Sequence, residues 1–232
     1  MPQTEMLTIG GSEMKVLVET PQGPGPHPAM IVVHHGPGLD DFTLDVLARL
    51  AGQGIVAVAP DFYHRCPPVE TIKERVEMFH DDQIVEDIQA AKAMLAARED
   101  VVSDRIGILG HCLGGRLAFL GAASIADMRV LAILYGGNIM VPWGKEAPAP
   151  IDLAGDINCP IIGFFGNEDT NPAPGDVDRI AEEFSTSGKI FTFHRYDDTG
   201  HAFQNFLNED MYREASCNDA WAKLSEFLKS NL

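Results

Sequence analysis

The feature of this sequence that most restricts its fold is an alternation of apolar runs with amphipathic segments. Near-continuous apolar runs, typical of strands buried in a parallel sheet, occur at 29–35, 54–60, 105–109, 129–137 and 160–166. Segments with the apolar spacing of helices alternate with them, at 40–52, 81–98, 113–124, 175–187 and 216–230. An edge strand at 15–19 and a further strand at 189–196 complete the pattern. The alternation predicts an α/β fold, with a mostly parallel central sheet and helices on both faces.

Length and charge narrow the class of protein. A chain of 232 residues suits a single domain, 1–232, with a large core. A net charge of −17 argues against nucleic acid or an anionic membrane as a partner and disfavours a small anionic substrate. The N-terminus lacks the features of a signal peptide, and no apolar run is long enough to span a membrane. The four cysteines are widely spread without metal-ligand spacing, which predicts a reduced, cytoplasmic protein. We expect a monomer or small homo-oligomer.

The first candidate site residue is Cys112, in the stretch GHCLG at 110–114. It lies between a predicted strand and a predicted helix, and ligands bind beyond the carboxyl ends of strands in such sheets. The stretch matches the G-x-nucleophile-x-G pattern of a sharp strand-to-helix turn, with cysteine as the nucleophile. The helix that follows starts beside the sulfur, which favours a thiolate. The alternative is a buried cysteine in an ordinary glycine-containing loop.

An acid and a base follow two later strands. Asp169 lies just past the strand at 160–166, with Glu168 as its adjacent competitor, and His201 follows the strand at 189–196. The chain order of nucleophile, acid and histidine is the one that this architecture uses for a catalytic triad. Each residue alone is equally well explained as a solvated loop side chain. Together they predict a triad of Cys112, Asp169 and His201.

Two backbone N–H groups are candidates for an oxyanion hole, the site that binds the negative oxygen of a tetrahedral intermediate. One belongs to Leu113, the residue after the nucleophile. The other is expected from Gly36, in the loop VVHHGPG at 32–38 that follows an inner strand. An ordinary turn between strand and helix is the alternative for that loop.

Four motifs, in order, resemble those of the dienelactone hydrolase (carboxymethylenebutenolidase) family of α/β-hydrolases. They are APDFYHR at 59–65, GHCLGGRLAF at 110–119, GNED at 166–169 and GHAF at 200–203. The resemblance spans residues 28 to 230 and implies an α/β-hydrolase fold with a sheet of about eight strands. It also implies hydrolysis of a small-molecule ester or lactone by a Cys-His-Asp triad through a thioester acyl-enzyme. No metal or organic cofactor is implied.

The chain departs from the family pattern at two places. His35 stands where relatives carry an activating Glu, so His35 or His34 is a candidate to pair with Cys112, or else to bond to backbone. Asn205 stands where a family arginine anchors a substrate carboxylate, and Arg75 or Lys73 only loosely matches a second one. These departures, with the net charge, predict an ester or lactone other than dienelactone.

Two further residues near the pocket have open interpretations. Trp143, in the irregular insert at 138–159, is a candidate for the pocket rim and equally for a packing residue. Arg116, in the first turn after Cys112, is expected to form a surface ion pair, with a position facing the pocket as the alternative. For the whole protein, a thiol-dependent amide hydrolase and a non-catalytic or redox-sensing ligand-binding protein are the alternative functions.

Overall fold

The central sheet has eight strands in the order β1-β2-β4-β3-β5-β6-β7-β8, in a computed structural model that describes residues 2–69, 71–144 and 147–232. The strands are β1 Gln3–Ile9, β2 Ser12–Glu19, β3 His27–Val33, β4 Val56–Pro60, β5 Val101–His111, β6 Leu131–Leu134, β7 Ile161–Gly166 and β8 Phe191–Tyr196. The strands from β3 to β8 run parallel, whereas β2 pairs antiparallel with both β1 and β4. This confirms the predicted sheet.

Helices cover both faces of the sheet and divide the core into two layers. They are α1 Asp41–Ala51, α2 Ile72–Glu77, α3 Asp81–Ala96, α4 Leu113–Ser124, α5 Pro174–Thr186 and α6 Glu214–Asn231. The apolar sides of α1 and α6 pack on one face, and those of α3, α4 and α5 pack on the other. Each apolar stripe removes a large hydrophobic area from water, which supplies the main favourable term in folding.

The N-terminal part of the sheet differs from the sequence prediction. The segment 15–19 was expected at the edge, but β1 occupies that position and β2 lies inside it. Six of the seven residues of β1 are exposed or half-exposed and only Ile9 is buried, so the segment lacks the apolar run that identifies a buried strand. The short helix α2 was not predicted, and it has no buried residue.

The insert after β6 is less irregular than its composition indicates. A 3₁₀ helix, Pro150–Asp156, lies within it and packs three buried residues against the core: Pro150, Ile151 and Ala154. Residues 145 and 146 of the insert lie outside the described part of the chain. In the described ranges, no helix has the length and apolar character needed to cross a membrane.

Candidate active site

Cys112 occupies a strained turn between β5 and α4. Its φ of 55° and ψ of −119° lie in a region that side-chain-bearing residues rarely adopt, at a cost of about 1–3 kcal/mol. The two glycines of the motif permit the turn by close approach. A Cβ at Gly110 would lie 2.0 Å from the carbonyl oxygen of Gly114, and one at Gly114 would lie 2.1 Å from that of Val33. The local sequence therefore lifts the sulfur above the carboxyl edge of the sheet.

Cys112, His201 and Asp169 form a continuous chain of contacts, named below the Cys112 triad. The Sγ of Cys112 lies 2.9 Å from Nε2 of His201, and Nδ1 of His201 lies 2.8 Å from Oδ2 of Asp169. The buried carboxylate of Asp169 also accepts, through Oδ1, the backbone N–H of Asn171 at 2.9 Å. Asp169 thereby holds the Nδ1–H tautomer of the imidazole and leaves Nε2 directed at the sulfur.

The loops that carry the acid and the base are bonded to each other. The N–H of Asn167 donates to the carbonyl of Tyr196 at 2.8 Å, and the N–H of Glu168 donates to that of Thr199 at 2.9 Å. Both bonds extend the pairing of β7 with β8 beyond the ends of these strands. The side chain of Glu168 is exposed, so the residue that contacts His201 is Asp169 rather than its sequence neighbour.

The surroundings of His201 favour its protonated form. Burial alone would lower the pKa of this imidazole, but its hydrogen bonds to Asp169 and Cys112 and their negative charges raise it to about 10. The first backbone N–H groups of α4 also lie beside the sulfur, because the helix begins at Leu113. An imidazolium and a helix N-terminus both stabilise a thiolate at this position.

Two unpaired backbone donors lie at the same cavity as the sulfur. Gly36 and Leu113 both line it, and within the described residues neither N–H has a hydrogen-bond acceptor. The orientation of the Gly36 N–H is explained by the carbonyl of the same peptide, which belongs to His35. That carbonyl accepts Nδ1–H of His34 at 2.8 Å and the N–H of Gly38 at 3.0 Å. Because a trans peptide directs its N–H opposite to its C=O, the Gly36 donor is turned away from His34.

His34 is a buried structural imidazole. Its Nδ1–H binds the His35 carbonyl, and its Nε2 accepts the N–H of Phe62 at 3.1 Å, so that both nitrogens have backbone partners. Burial lowers the pKa of His34, which keeps the ring neutral as this pattern requires. Tyr63, which follows Phe62, donates its hydroxyl to the Gly36 carbonyl at 2.7 Å. The segment after β4 therefore fixes the loop that carries Gly36.

His35 is turned to the start of α1 instead of the sulfur. Its Nε2 lies 2.8 Å from Oδ2 of Asp40, the residue that caps α1 by accepting the N–H of Thr43. Partial burial of Asp40 opposes its ionisation, but these hydrogen bonds hold the pKa of the carboxyl below its ordinary value. In the part of the chain that the structure describes, neither His34 nor His35 is hydrogen-bonded to Cys112. The structure thus gives His34 the backbone-bonded placement that the sequence left open as an alternative.

The cavity at Cys112 is small, and no Lys or Arg is among its described lining. Its volume is about 180 Å³, below the range of roughly 300–1,000 Å³ usual for small-molecule sites. It is lined by Gly36, Ile72, Val76, Cys112, Leu113, Gly137, Asn138, Trp143, Asn171 and His201. Arg75 lies outside this lining, in an adjacent cleft, with its guanidinium 4.9 Å from the centre of the Tyr63 ring. Among the described residues, no cluster of His, Cys, Asp and Glu is arranged to hold a metal ion.

Arg116 corrects an expectation from the sequence. It forms an ion pair, but a fully buried one: Nη1 and Nη2 donate to the two carboxylate oxygens of Asp81 at 2.7 and 3.0 Å. Two further N–H groups, on Nε and Nη2, donate to the carbonyls of Asn138 and Val141 in the insert. The partner of Arg116 lies 35 residues away at the start of α3, so that no local pattern in the sequence indicates the pair.

Comparison with known proteins adds a consistent set of relatives. A model described as "Dienelactone hydrolase family" matches residues 14–232. A protein of Methylorubrum extorquens, named "Putative carboxymethylenebutenolidase", is 30% identical over 212 residues, covering 88% of this chain and 72% of its own. A Bradyrhizobium protein, named "Probable 2-oxo-3-(5-oxofuran-2-ylidene)propanoate lactonase", is 29% identical over 238 residues, covering 100% and 95%.

A solved structure shows the same fold over nearly the whole length. It is described as a "Putative Dienelactone Hydrolase" from Klebsiella pneumoniae and superimposes with a TM-score of 0.89. The two chains are 26% identical, and the match covers 99% of this chain and 98% of the other. The expected α/β-hydrolase architecture is therefore confirmed.

Proposed function

The chain belongs to the dienelactone hydrolase family, and on that premise we propose that it hydrolyses a carboxylic ester or lactone with Cys112 as the nucleophile. The observation that carries the proposal is the Cys112 triad, with contacts of 2.9 and 2.8 Å, at a cavity that two unpaired N–H groups line. A nucleophile, a base oriented by an acid, and oxyanion donors are the parts that acyl transfer requires.

The first half of the proposed reaction forms a thioester. With His201 protonated, the sulfur of Cys112 attacks the carbonyl carbon of the substrate as a thiolate. The oxygen becomes an oxyanion that the N–H groups of Gly36 and Leu113 bind. As the carbon–oxygen bond to the leaving group breaks, Nε2–H of His201 protonates that oxygen. The products are an acyl group on Cys112 and an alcohol, which remains tethered when the substrate is a lactone.

The second half returns the enzyme to its starting state. His201 takes a proton from a water molecule, whose oxygen attacks the thioester carbon and generates a second oxyanion in the same position. The carbon–sulfur bond then breaks and the carboxylic acid leaves, which restores the thiolate of Cys112 beside the protonated His201. Asp169 orients the imidazole and stabilises its charge throughout, without taking a proton itself.

The lining of the cavity supports a neutral substrate. No Lys or Arg is among the described residues that line it, and the net charge of −17 repels small anions at a distance. Asn205, at the position of the family's arginine, accepts the N–H of Leu207 through its side chain at 3.1 Å and is absent from the lining. The relative named as a lactonase supports the inclusion of lactones in the substrate class.

A comparison of cysteine variants on a small substrate panel tests this proposal. The panel contains a 4-nitrophenyl ester, a neutral aliphatic lactone and an anilide, and kcat/KM is measured for each. The wild type should cleave the ester and the lactone, and Cys112→Ala should lose on the order of 10⁴-fold or more. Cys66→Ala is the matched control, since Cys66 lies in the adjacent cleft. Ester cleavage that survives in Cys112→Ala would refute the mechanism, and preferential cleavage of the anilide would refute the substrate class.

A further inference from the structure

Trp143 separates the small cavity at Cys112 from a larger apolar one. The second cavity has a volume of about 590 Å³ and lies between α3, α4 and the insert. Trp143 is in the lining of both cavities, whereas the other described lining residues belong to one or the other. The second cavity falls within the size range of small-molecule sites, and the one at the nucleophile does not.

The backbone of Trp143 is fixed at the start of α3. Its N–H donates to Oδ2 of Asp81 at 3.0 Å, and its carbonyl accepts the N–H of Asp81 at 2.9 Å. Asp81 is in turn held by the buried guanidinium of Arg116 through two hydrogen bonds. A residue held by reciprocal hydrogen bonds to a buried ion pair has little freedom to move aside.

The indole ring is fixed as well. The guanidinium carbon of Arg116 lies 3.6 Å from the centre of the Trp143 ring, a close cation–π contact, and Phe79 packs near the ring at 6.0 Å between centroids. Arg116 lies one helical turn after Cys112, on the helix that begins at the nucleophile. The Trp143 ring, named below the partition, is therefore anchored to the same helix as the attacking sulfur. The fold sets its distance from that sulfur.

We propose that Trp143 is the specificity-determining residue of the site, confining the enzyme to small acyl groups and small lactones by closing off the apolar cavity. The inference rests on the proposed function, since it names which esters and lactones the site accepts. An acyl chain longer than the small cavity meets the indole ring instead of the apolar volume behind it. Removing the ring joins the two volumes and gives the chain apolar walls to contact, including Val85, Leu120 and Leu153.

The test measures kcat/KM for 4-nitrophenyl acetate, butyrate and octanoate. The wild type should favour acetate over octanoate. Trp143→Ala should raise the octanoate-to-acetate ratio of kcat/KM by about tenfold or more, because the methylene groups of the octanoyl chain can then enter the apolar cavity. Trp143→Phe, which keeps a ring over Arg116, should give a smaller increase and covers the case in which the alanine variant fails to fold. Leu153→Ala is the matched control: it enlarges the apolar cavity without opening the partition and should leave the ratio unchanged.

A second readout does not depend on hydrolysis. N-methyl and N-octyl iodoacetamide alkylate a thiolate with loss of iodide, and peptide mass spectrometry gives the rate at Cys112, with Cys66 as an internal reference. The wild type should discriminate against the octyl reagent at Cys112, and Trp143→Ala should remove much of that discrimination. Equal labelling by both reagents in the wild type, or an unchanged ratio in the folded alanine and phenylalanine variants, would overturn the proposal. An absence of ester cleavage by the wild type would instead count against the proposed function, while the labelling ratio still tests the partition.

Discussion

The Cys112 triad differs sharply from a second chain of side chains with similar chemistry. Ser12 in β2, His64 after β4 and Asp87 in α3 form this chain, named below the Ser12 group. Nδ1 of His64 is 3.0 Å from the Ser12 hydroxyl, and its Nε2 is 3.1 Å from Oδ2 of Asp87. By residue type and distance alone, the Ser12 group matches a hydroxyl nucleophile, a base and an acid.

The Ser12 hydroxyl already donates its proton in another hydrogen bond. This proton is donated to the carbonyl of His64 at 3.1 Å, and a hydroxyl has only one proton to give. The guanidinium of Arg65, which can only donate, lies 2.9 Å from Nε2 of His64 and also binds Asp87. Asp87 thus neutralises an arginine as well as contacting an imidazole. The Ser12 group is a crosslink between the β1–β2 hairpin, the segment after β4 and α3.

Position and access separate the two groups further. The side chain of His201 is 27% exposed and that of His64 only 2%, so that only His201 is open to a substrate. Cys112 follows a strand in the parallel part of the sheet and precedes a helix, whereas Ser12 begins β2 in an antiparallel hairpin. The comparison teaches that hydrogen-bond distance does not define a triad. The strained turn, the free backbone donors and the cavity define it.

The largest expected effect is the difference in activity between alanine variants of Cys112 and Ser12. Cys112→Ala should reduce kcat/KM for an activated ester on the order of 10⁴-fold or more, while Ser12→Ala should leave it unchanged. Both substitutions remove one small polar group. Steady-state kinetics on the two purified variants make the measurement. A large loss in Ser12→Ala with Cys112→Ala active would reverse the assignment.

The two histidines should separate activity from stability. His201→Gln should lower kcat roughly 10²–10⁴-fold, because the general acid–base is lost. His64→Gln should leave the activity of the folded enzyme intact but lower the free energy of unfolding by about 1–3 kcal/mol, since buried partners lose hydrogen bonds. Kinetics together with urea denaturation test this pair. A drop in kcat for folded His64→Gln that equals that of His201→Gln would contradict the comparison.

Replacing Asp169 or Asp87 by asparagine, which has nearly the same shape, tests the same difference between the two groups. Asp169→Asn should lower kcat by up to about 10⁴-fold, because an amide can no longer enforce the Nδ1–H tautomer of His201. Asp87→Asn leaves Arg65 and His64 with a neutral partner and should mainly reduce the free energy of unfolding. The two variants are compared by kcat and by denaturant midpoint. Interchanged effects, with Asp87→Asn inactive and Asp169→Asn merely unstable, would show that the roles are assigned the wrong way round.

The smallest expected effect is a pH dependence of stability that His201 contributes. Folding raises the pKa of this imidazole from 6.5 to about 10, so its protonation stabilises the folded state. That contribution is complete below pH 6.5 and disappears as the pH rises through about 10. The difference in unfolding free energy between the wild type and His201→Gln should therefore shrink with increasing pH across this window. Urea denaturation at several pH values measures it, and a difference that stays constant would contradict the raised pKa.

The sheet and the residues of the Cys112 triad could be predicted because their signals are local. β3, β5 and β7 are near-continuous apolar runs, and Cys112, Asp169 and His201 each follow a strand at the carboxyl edge. β1 was not predicted, because an edge strand with mostly exposed side chains has no apolar run. Register and neighbour order follow from long-range packing that no short window of sequence contains.

The surroundings of the triad could not be predicted, because they depend on distant partners. Arg116 and Asp81 are 35 residues apart, and Ser12 and His64 are 52 apart. The sequence does not distinguish a charged residue in an exposed ion pair from one in a buried ion pair. The neighbourhood of His34 shows the same limit, since its bond to Phe62 joins loops after two different strands.

The most direct test of the account identifies the residue that carries the acyl group. The enzyme is mixed with 4-nitrophenyl acetate, quenched in acid during turnover and digested with pepsin at acidic pH, at which a thioester survives. Mass spectrometry should find the acetyl group on a peptide that contains Cys112, and none on Ser12. An acetyl group on Ser12, or turnover in Cys112→Ala at the wild-type rate, would contradict the account.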